Sequence, residues 1–159
     1  MTDIHDDASL RSIEQSIDGW LHGLQVSNEA VETVDRGDPG ELRWYVRLRG
    51  EHKEHITIWL ALRQRTLRYE AYVMPAPHEN VAAVYEFALR RNERLVGAHF
   101  AIGVEDAIFV RGELPIAALD EAELDRVIGS LYTYVEDSFP ELIRLGYATR
   151  FAAEANPAS

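Results

Sequence analysis

The sequence predicts an α+β fold: one sheet made of an antiparallel meander plus a hairpin, with three helices packed mainly on one face, in the order α-β(3-4)-α-β-β-α. Three observations predict it. Apolar residues recur at helical spacing near the start, middle and end of the chain, and strict apolar/polar alternation fills the stretch between the first two helices. Short polar or Gly/Pro-rich connections separate the alternating runs, and they are too short for crossover helices, so neighbouring strands run antiparallel.

Leu10, Ile13, Ile17, Leu21 and Leu24 share one helical face, and Asp7 or Ser9 can cap the start, so residues 8–25 read as an amphipathic helix. Gly19 and Gly23 weaken its last turns. Residues 30–35 carry a weaker strand signal before the turn Gly37-Asp38-Pro39-Gly40. From Leu42 the alternation is clean, with Leu42, Trp44, Val46 and Leu48 on one side and Arg43, Tyr45, Arg47 and Arg49 on the other. After a polar connection at 50–54, Ile56, Ile58, Leu60 and Leu62 alternate with Thr57, Trp59, Ala61 and Arg63. A third strand over 67–74 sets Leu67, Tyr69, Ala71 and Val73 against Arg68, Glu70, Tyr72 and Met74.

Pro75-Ala76-Pro77 ends the meander, because proline has no N–H to give a ladder. Val81, Val84, Tyr85, Ala88 and Leu89 then share a helical face over 79–91, with Asn92 as the stop. Strands over 95–102 and 107–112 flank the turn at 103–106, and Phe100, Ile102, Ile108 and Val110 can join the same core. Asp120 with Glu123 forms a start resembling a capping box, and Leu124, Val127, Leu131 and Val135 carry a third helix toward Pro140, which should kink or end it. At 159 residues the chain suits one domain over 1–151, with the small, polar 152–159 as a frayed tail.

Several chemistries have no residues to carry them. The chain has no Cys, which removes disulfides, thiolate metal sites and Cys nucleophiles and fits a reducing, cytoplasmic address. Its acidic opening has no basic, apolar leader pattern, and no run of eighteen apolar residues offers a membrane span. Glu51-His52-Lys53-Glu54-His55 is the best metal candidate, but its two His stand three apart in a loop rather than four apart on a helix, so a solvated turn is the expectation. His99 lies in an apolar strand and reads as a core or edge histidine, and Ser130 and Ser138 lack a nucleophile elbow. Gly97, Gly103 and Gly112 punctuate strands and turns without forming a phosphate loop, and Asp120 to Asp125 complements a helix N-terminus. The expectation is therefore no enzyme, no metal and no cofactor.

Charge is the informative property. The net charge of −11 argues against general nucleic-acid binding, which needs a basic footprint. Between Leu42 and Arg68, however, seven basic residues face only Glu51 and Glu54, a local balance of +5 that leaves −16 on the rest of the chain. Arg43, Tyr45, Arg47, Trp59, Arg63, Arg68 and Tyr72 all fall on the polar side of the meander, giving a basic, aromatic-studded face. Such a face can be merely solvated, with arginine stacked on aromatics. It can also bind an acidic protein surface, since Arg, Trp and Tyr dominate interface hot spots. The alternative occupant is a small ligand or single-stranded nucleic acid, whose bases stack on aromatics between arginines.

The stretch YEAYVMPAPHENVAAVYEFALRRN, Tyr69 to Asn92, followed by AIGVEDAIFVRGELP and a final acidic helix, resembles the YbjN domain family of bacterial sensory transduction regulators. The resemblance runs from Trp44 to Tyr147. It implies the fold of type III secretion chaperones, in which the strand at 30–35 would be one more than the usual pattern. It also implies an acidic, cytoplasmic, often dimeric binding module, and it carries over no catalytic residues. Together the residues and the resemblance predict a non-enzymatic protein-binding or regulatory module, chaperone-like, that forms a homodimer and meets a protein partner or client through the meander face.

Overall fold

The computed structural model describes residues 4–150. Its elements are α1 (Asp7–Ser27), β1 (Val31–Arg36), β2 (Arg43–Arg49), β3 (His55–Leu62), β4 (Thr66–Met74), α2 (Val81–Asn92), β5 (His99–Ile102), β6 (Ile108–Pro115) and α3 (Glu121–Gly146). The six strands form one antiparallel sheet in the order β1-β2-β3-β4-β6-β5, so the hairpin β5–β6 joins the meander through β6 against β4. The weak strand at 30–35 is therefore real, and it is an edge strand with Val31 as its one buried residue.

Alternation decides which face is covered. Trp44, Val46 and Leu48 from β2, Ile56, Ile58, Leu60 and Leu62 from β3, and Leu67, Tyr69, Ala71 and Val73 from β4 are all buried. They share one core with Leu10, Ile17 and Leu21 of α1, Val84 and Ala88 of α2, and Leu124, Val127, Leu131, Val135 and Leu142 of α3. Burying each of the larger side chains stabilises the fold by about 1.5–3 kcal/mol, so the helices are held to that face. The opposite face of the meander carries the polar half of the alternation.

The structure departs from the periodicity in places that have physical causes. Asp6, rather than Asp7 or Ser9, caps α1, its side chain accepting from the Ser9 N–H at 2.8 Å. Val81 and Leu89 lie exposed although they share spacing with the buried Val84 and Ala88, because only a narrow stripe of α2 meets the core. The strand expected over 95–102 shortens to β5, since Gly97 has a left-handed φ of 74° and Tyr69 donates to its carbonyl at 2.5 Å. Met74 leaves the polar side of β4 because the pairing with β6 shifts register between Tyr72 and Met74, and it is fully buried. Pro140 does not end α3: the turn beyond it buries Leu142 and sets Gly146 where a Cβ would press on Met74 and Pro77. The tail expected at 152–159 lies outside the described residues.

Candidate functional site

On the open sheet face, register places the polar side chains of neighbouring strands in rows. Arg43 pairs with Ala61, and Ala61 with Arg68. The next row runs Tyr45, Trp59, Glu70, Arg111. Ala61 is the one methyl between two arginines, and above it opens a cleft of about 330 Å³ whose walls include Arg43, Arg63, Arg68 and Trp59. Trp59, 42% exposed, meets Tyr45 edge to face, with ring centroids 5.6 Å apart and planes at 83°. That geometry sets the positive ring edge of one residue against the negative face of the other.

The arginines differ in what neutralises them. Arg111 donates to Glu70 at 2.8 Å and lies 4.6 Å from the Phe109 ring centroid, so its charge is satisfied within the sheet. Arg47 lies beside Glu32 at 3.2 Å, and the same carboxylate oxygen meets His55 Nδ1 at 3.1 Å. Arg68 approaches Glu113 only at 3.9 Å, with both side chains more than half exposed, a pair worth about 0–1 kcal/mol. Arg43 and Arg63 have no acidic partner among the described residues.

Of the seven residues expected to share this face, Arg43, Tyr45, Trp59, Arg63 and Arg68 line the cleft. Arg47 stands outside it, held at the β1 side by Glu32. Tyr72 lies toward the other end of β4, edge to face with Phe109 at 5.6 Å and with the Lys53 ammonium 5.5 Å from its ring centroid. Burial, and then Tyr147, push the Tyr72 phenol pKa up, while burial lowers that of Lys53 against the pull of Glu136. Three cleft residues on the open face escaped the sequence reading. Ala61 is the only small residue on its face of β3, and that was its signal; Glu70 and Arg111 come together only once β6 is known to pair with β4.

The loop at 51–55 is organised by a carboxylate. Glu136 of α3 accepts the backbone N–H groups of Glu51, His52 and Lys53 at 2.8, 3.0 and 3.0 Å. Among the described residues, no group of three or more His, Asp or Glu could hold a metal ion. His99 is exposed on the edge strand β5. No helix among the described residues is long and apolar enough to cross a membrane.

Known proteins give the arrangement a context. Rv0487 of Mycobacterium tuberculosis is 36% identical over 147 residues, covering 92% of this chain and 79% of that protein. ML2442 of Mycobacterium leprae is 32% identical over 133 residues, covering 84% and 72%. Among solved structures, a chain of the HopA1–SchA chaperone–effector complex superposes with a TM-score of 0.57 at 13% identity, over 86% of this chain and 98% of that one. A chain of the ExsC–ExsE complex gives 0.53 at 11%, over 83% and 94%. The fold is thus shared with type III secretion chaperones. The family model described as "Putative bacterial sensory transduction regulator" matches residues 15–144, and the chain belongs to that family, YbjN.

Proposed function

We propose that the protein is a non-enzymatic, cytoplasmic protein-binding module with a regulatory or chaperone-like role, and that the open meander face receives its partner. The observation that carries this reading is the cleft itself: an edge-to-face Trp59–Tyr45 pair beside Arg43 and Arg63, cations that no acidic side chain among the described residues neutralises. Exposed aromatics next to unpaired arginines are the composition of interface hot spots. Both neighbours in fold come from complexes of two proteins, one of them named as chaperone and effector, which supports a protein as the occupant.

The test is affinity capture from the native cytoplasm with wild type and Trp59→Ala in parallel, both verified folded by their melting curves. A protein recovered by wild type and lost or strongly depleted with Trp59→Ala supports the reading; equal recovery by both overturns the choice of face. The same reading includes a homodimer, as the family resemblance and the exposed Trp59 suggest. Light scattering at micromolar concentration should then give about twice the chain mass of 18.0 kDa, and a monomer mass up to high concentration removes the dimer.

A further inference from the structure

We propose that the pit floored by Ala61 is an anchor subsite for the carboxylate of an Asp or Glu in an extended acidic segment of the protein partner, with an aromatic side chain two residues along that segment packing on Trp59. This rests on the protein-binding reading and adds the chemistry of what is bound. The pit follows from register. Arg43 and Arg68 stand directly across from Ala61 on either side, so their Cα atoms are two strand spacings apart, about 10 Å. The residue between them has only a methyl group, so no larger side chain separates the two arginines that line the pit. Arg63, the residue just past the end of β3, also lines the pit.

Charge selects the occupant. With 27 acidic residues in the chain, Arg111 and Arg47 have been given carboxylates, whereas Arg43 and Arg63 have none among the described residues and Arg68 has only a distant one. A planar carboxylate matches the guanidinium fork and can accept from two arginines at once. Beyond the +5 segment the rest of the chain carries a net −16, which disfavours a long polyphosphate chain, so a short acidic stretch of protein fits better than nucleic acid.

Spacing selects the conformation. Ala61 and Trp59 are two residues apart on one strand, hence separated by about 6.6 Å, and in an extended segment side chains two apart point the same way at that same separation. A segment lying along β3 can therefore place a carboxylate over Ala61 and an aromatic ring against Trp59 together. The pattern sought is acidic, any residue, aromatic.

The experiment is fluorescence anisotropy with labelled short synthetic peptides in a Gly/Ser background, bearing Glu-Ser-Trp, Gln-Ser-Trp, or Glu and Trp with one extra Ser between them, alongside an oligo-dT strand. Wild type should prefer Glu-Ser-Trp over both other peptides by about tenfold or more, and Ala61→Leu and Arg63→Gln, each verified folded, should lose that preference. Peptides bound equally whatever their charge and spacing, or unaffected by Ala61→Leu, overturn the anchor while leaving the face a protein surface. Oligo-dT bound more tightly than every peptide at physiological salt, and lost in the same variants, overturns the protein-binding reading itself. No peptide bound by wild type at millimolar concentration also overturns the anchor.

Discussion

Glu136 and Lys53, far apart in sequence, are joined by a hydrogen bond from the Lys53 backbone N–H to Glu136 Oε1 at 3.0 Å. The other carboxylate oxygen takes the N–H groups of Glu51 and His52, so one buried side chain from α3 satisfies three successive donors of the β2–β3 loop. Gly50 makes the approach possible, since a Cβ there would collide with both the Lys53 carbonyl and the carboxylate. This is how the basic hairpin is fixed to the helical layer: α3 packs on one face of the sheet, and its Glu136 sets the loop that leads into β3 and hence toward Trp59 and Ala61.

Replacing Glu136 with Gln should therefore destabilise the protein. The amide retains one oxygen but turns N–H groups toward backbone N–H groups, and losing hydrogen bonds to a charged acceptor costs about 1.5–3 kcal/mol. Burial acts to raise the Glu136 pKa, but the three backbone N–H groups together outweigh it and hold the pKa below the usual 4.5. A folded-state pKa below the unfolded value means the stabilisation is fully present above about pH 4.5 and is lost as the pH falls through the folded value. Urea melts should show Glu136→Gln less stable than wild type at neutral pH, with the gap narrowing below that point. A gap that is constant with pH contradicts the assignment.

A second attachment lies between α1 and the β1–β2 edge. Trp44 Nε1 donates to Asp18 at 2.7 Å, while Arg36 donates to both Asp18 oxygens at 3.1 Å and its guanidinium lies 4.7 Å from the Trp44 ring centroid. Asp18→Ala leaves the indole N–H of a fully buried side chain without its acceptor, at a cost of about 1–3 kcal/mol. Arg36→Ala removes partly exposed ion pairs with Asp18 and Glu14 and the cation–π contact with Trp44, but it leaves the indole hydrogen bond in place and should cost less. Equal losses in thermal melts would show that the ion pair, not the indole bond, holds α1.

These attachments also show what a reader of the sequence could and could not see. Trp44, Ile58 and Leu67 announce their face because alternation maps directly onto burial in a half-covered strand. Met74 follows the same alternation and misleads, because a bulge is set by the pairing partner and not by the strand's own residues. The β1 strand is faint because an edge strand needs little apolar signal. For the candidate site, the identities of Arg43, Tyr45, Trp59, Arg63 and Arg68 were legible, since outward polarity is a local property. That Ala61 makes a pit, that Arg47 is neutralised by Glu32 and that Tyr72 stands apart all depend on register between strands, which one sequence does not state.

The outer edge of β5 is sealed by a side chain. Asn92 accepts the Phe100 N–H at 2.6 Å and donates to the Phe100 carbonyl at 3.5 Å, so its carboxamide stands where a neighbouring strand's peptide group would be. An unpaired edge is a template for another chain. Asn92→Ala should speed amide exchange at Phe100 and increase self-association at high concentration, and Asn92→Asp, which keeps the acceptor, should restore most of the exchange protection. Unchanged exchange at Phe100 in Asn92→Ala would refute the sealing role.

The two charge reversals on the meander face should behave differently toward a captured protein partner. Arg63 has no acidic partner among the described residues, so Arg63→Glu changes the field seen by an approaching acidic surface without breaking an internal contact. Association should slow by about tenfold at low ionic strength and converge on wild type as salt rises, with the melting temperature unchanged. Arg47→Glu instead sets a carboxylate against Glu32, which would remain beside His55. Its stability should fall by about 0–1 kcal/mol, and association should slow less, because the positive charge removed was already neutralised. Trp59→Ala completes the comparison by acting on dissociation, since a packed aromatic contact is lost only after docking. Stopped-flow association and dissociation rates across a salt series separate the three. Equal slowing by Arg47→Glu and Arg63→Glu would place the contact over the whole sheet face rather than at the Ala61 cleft.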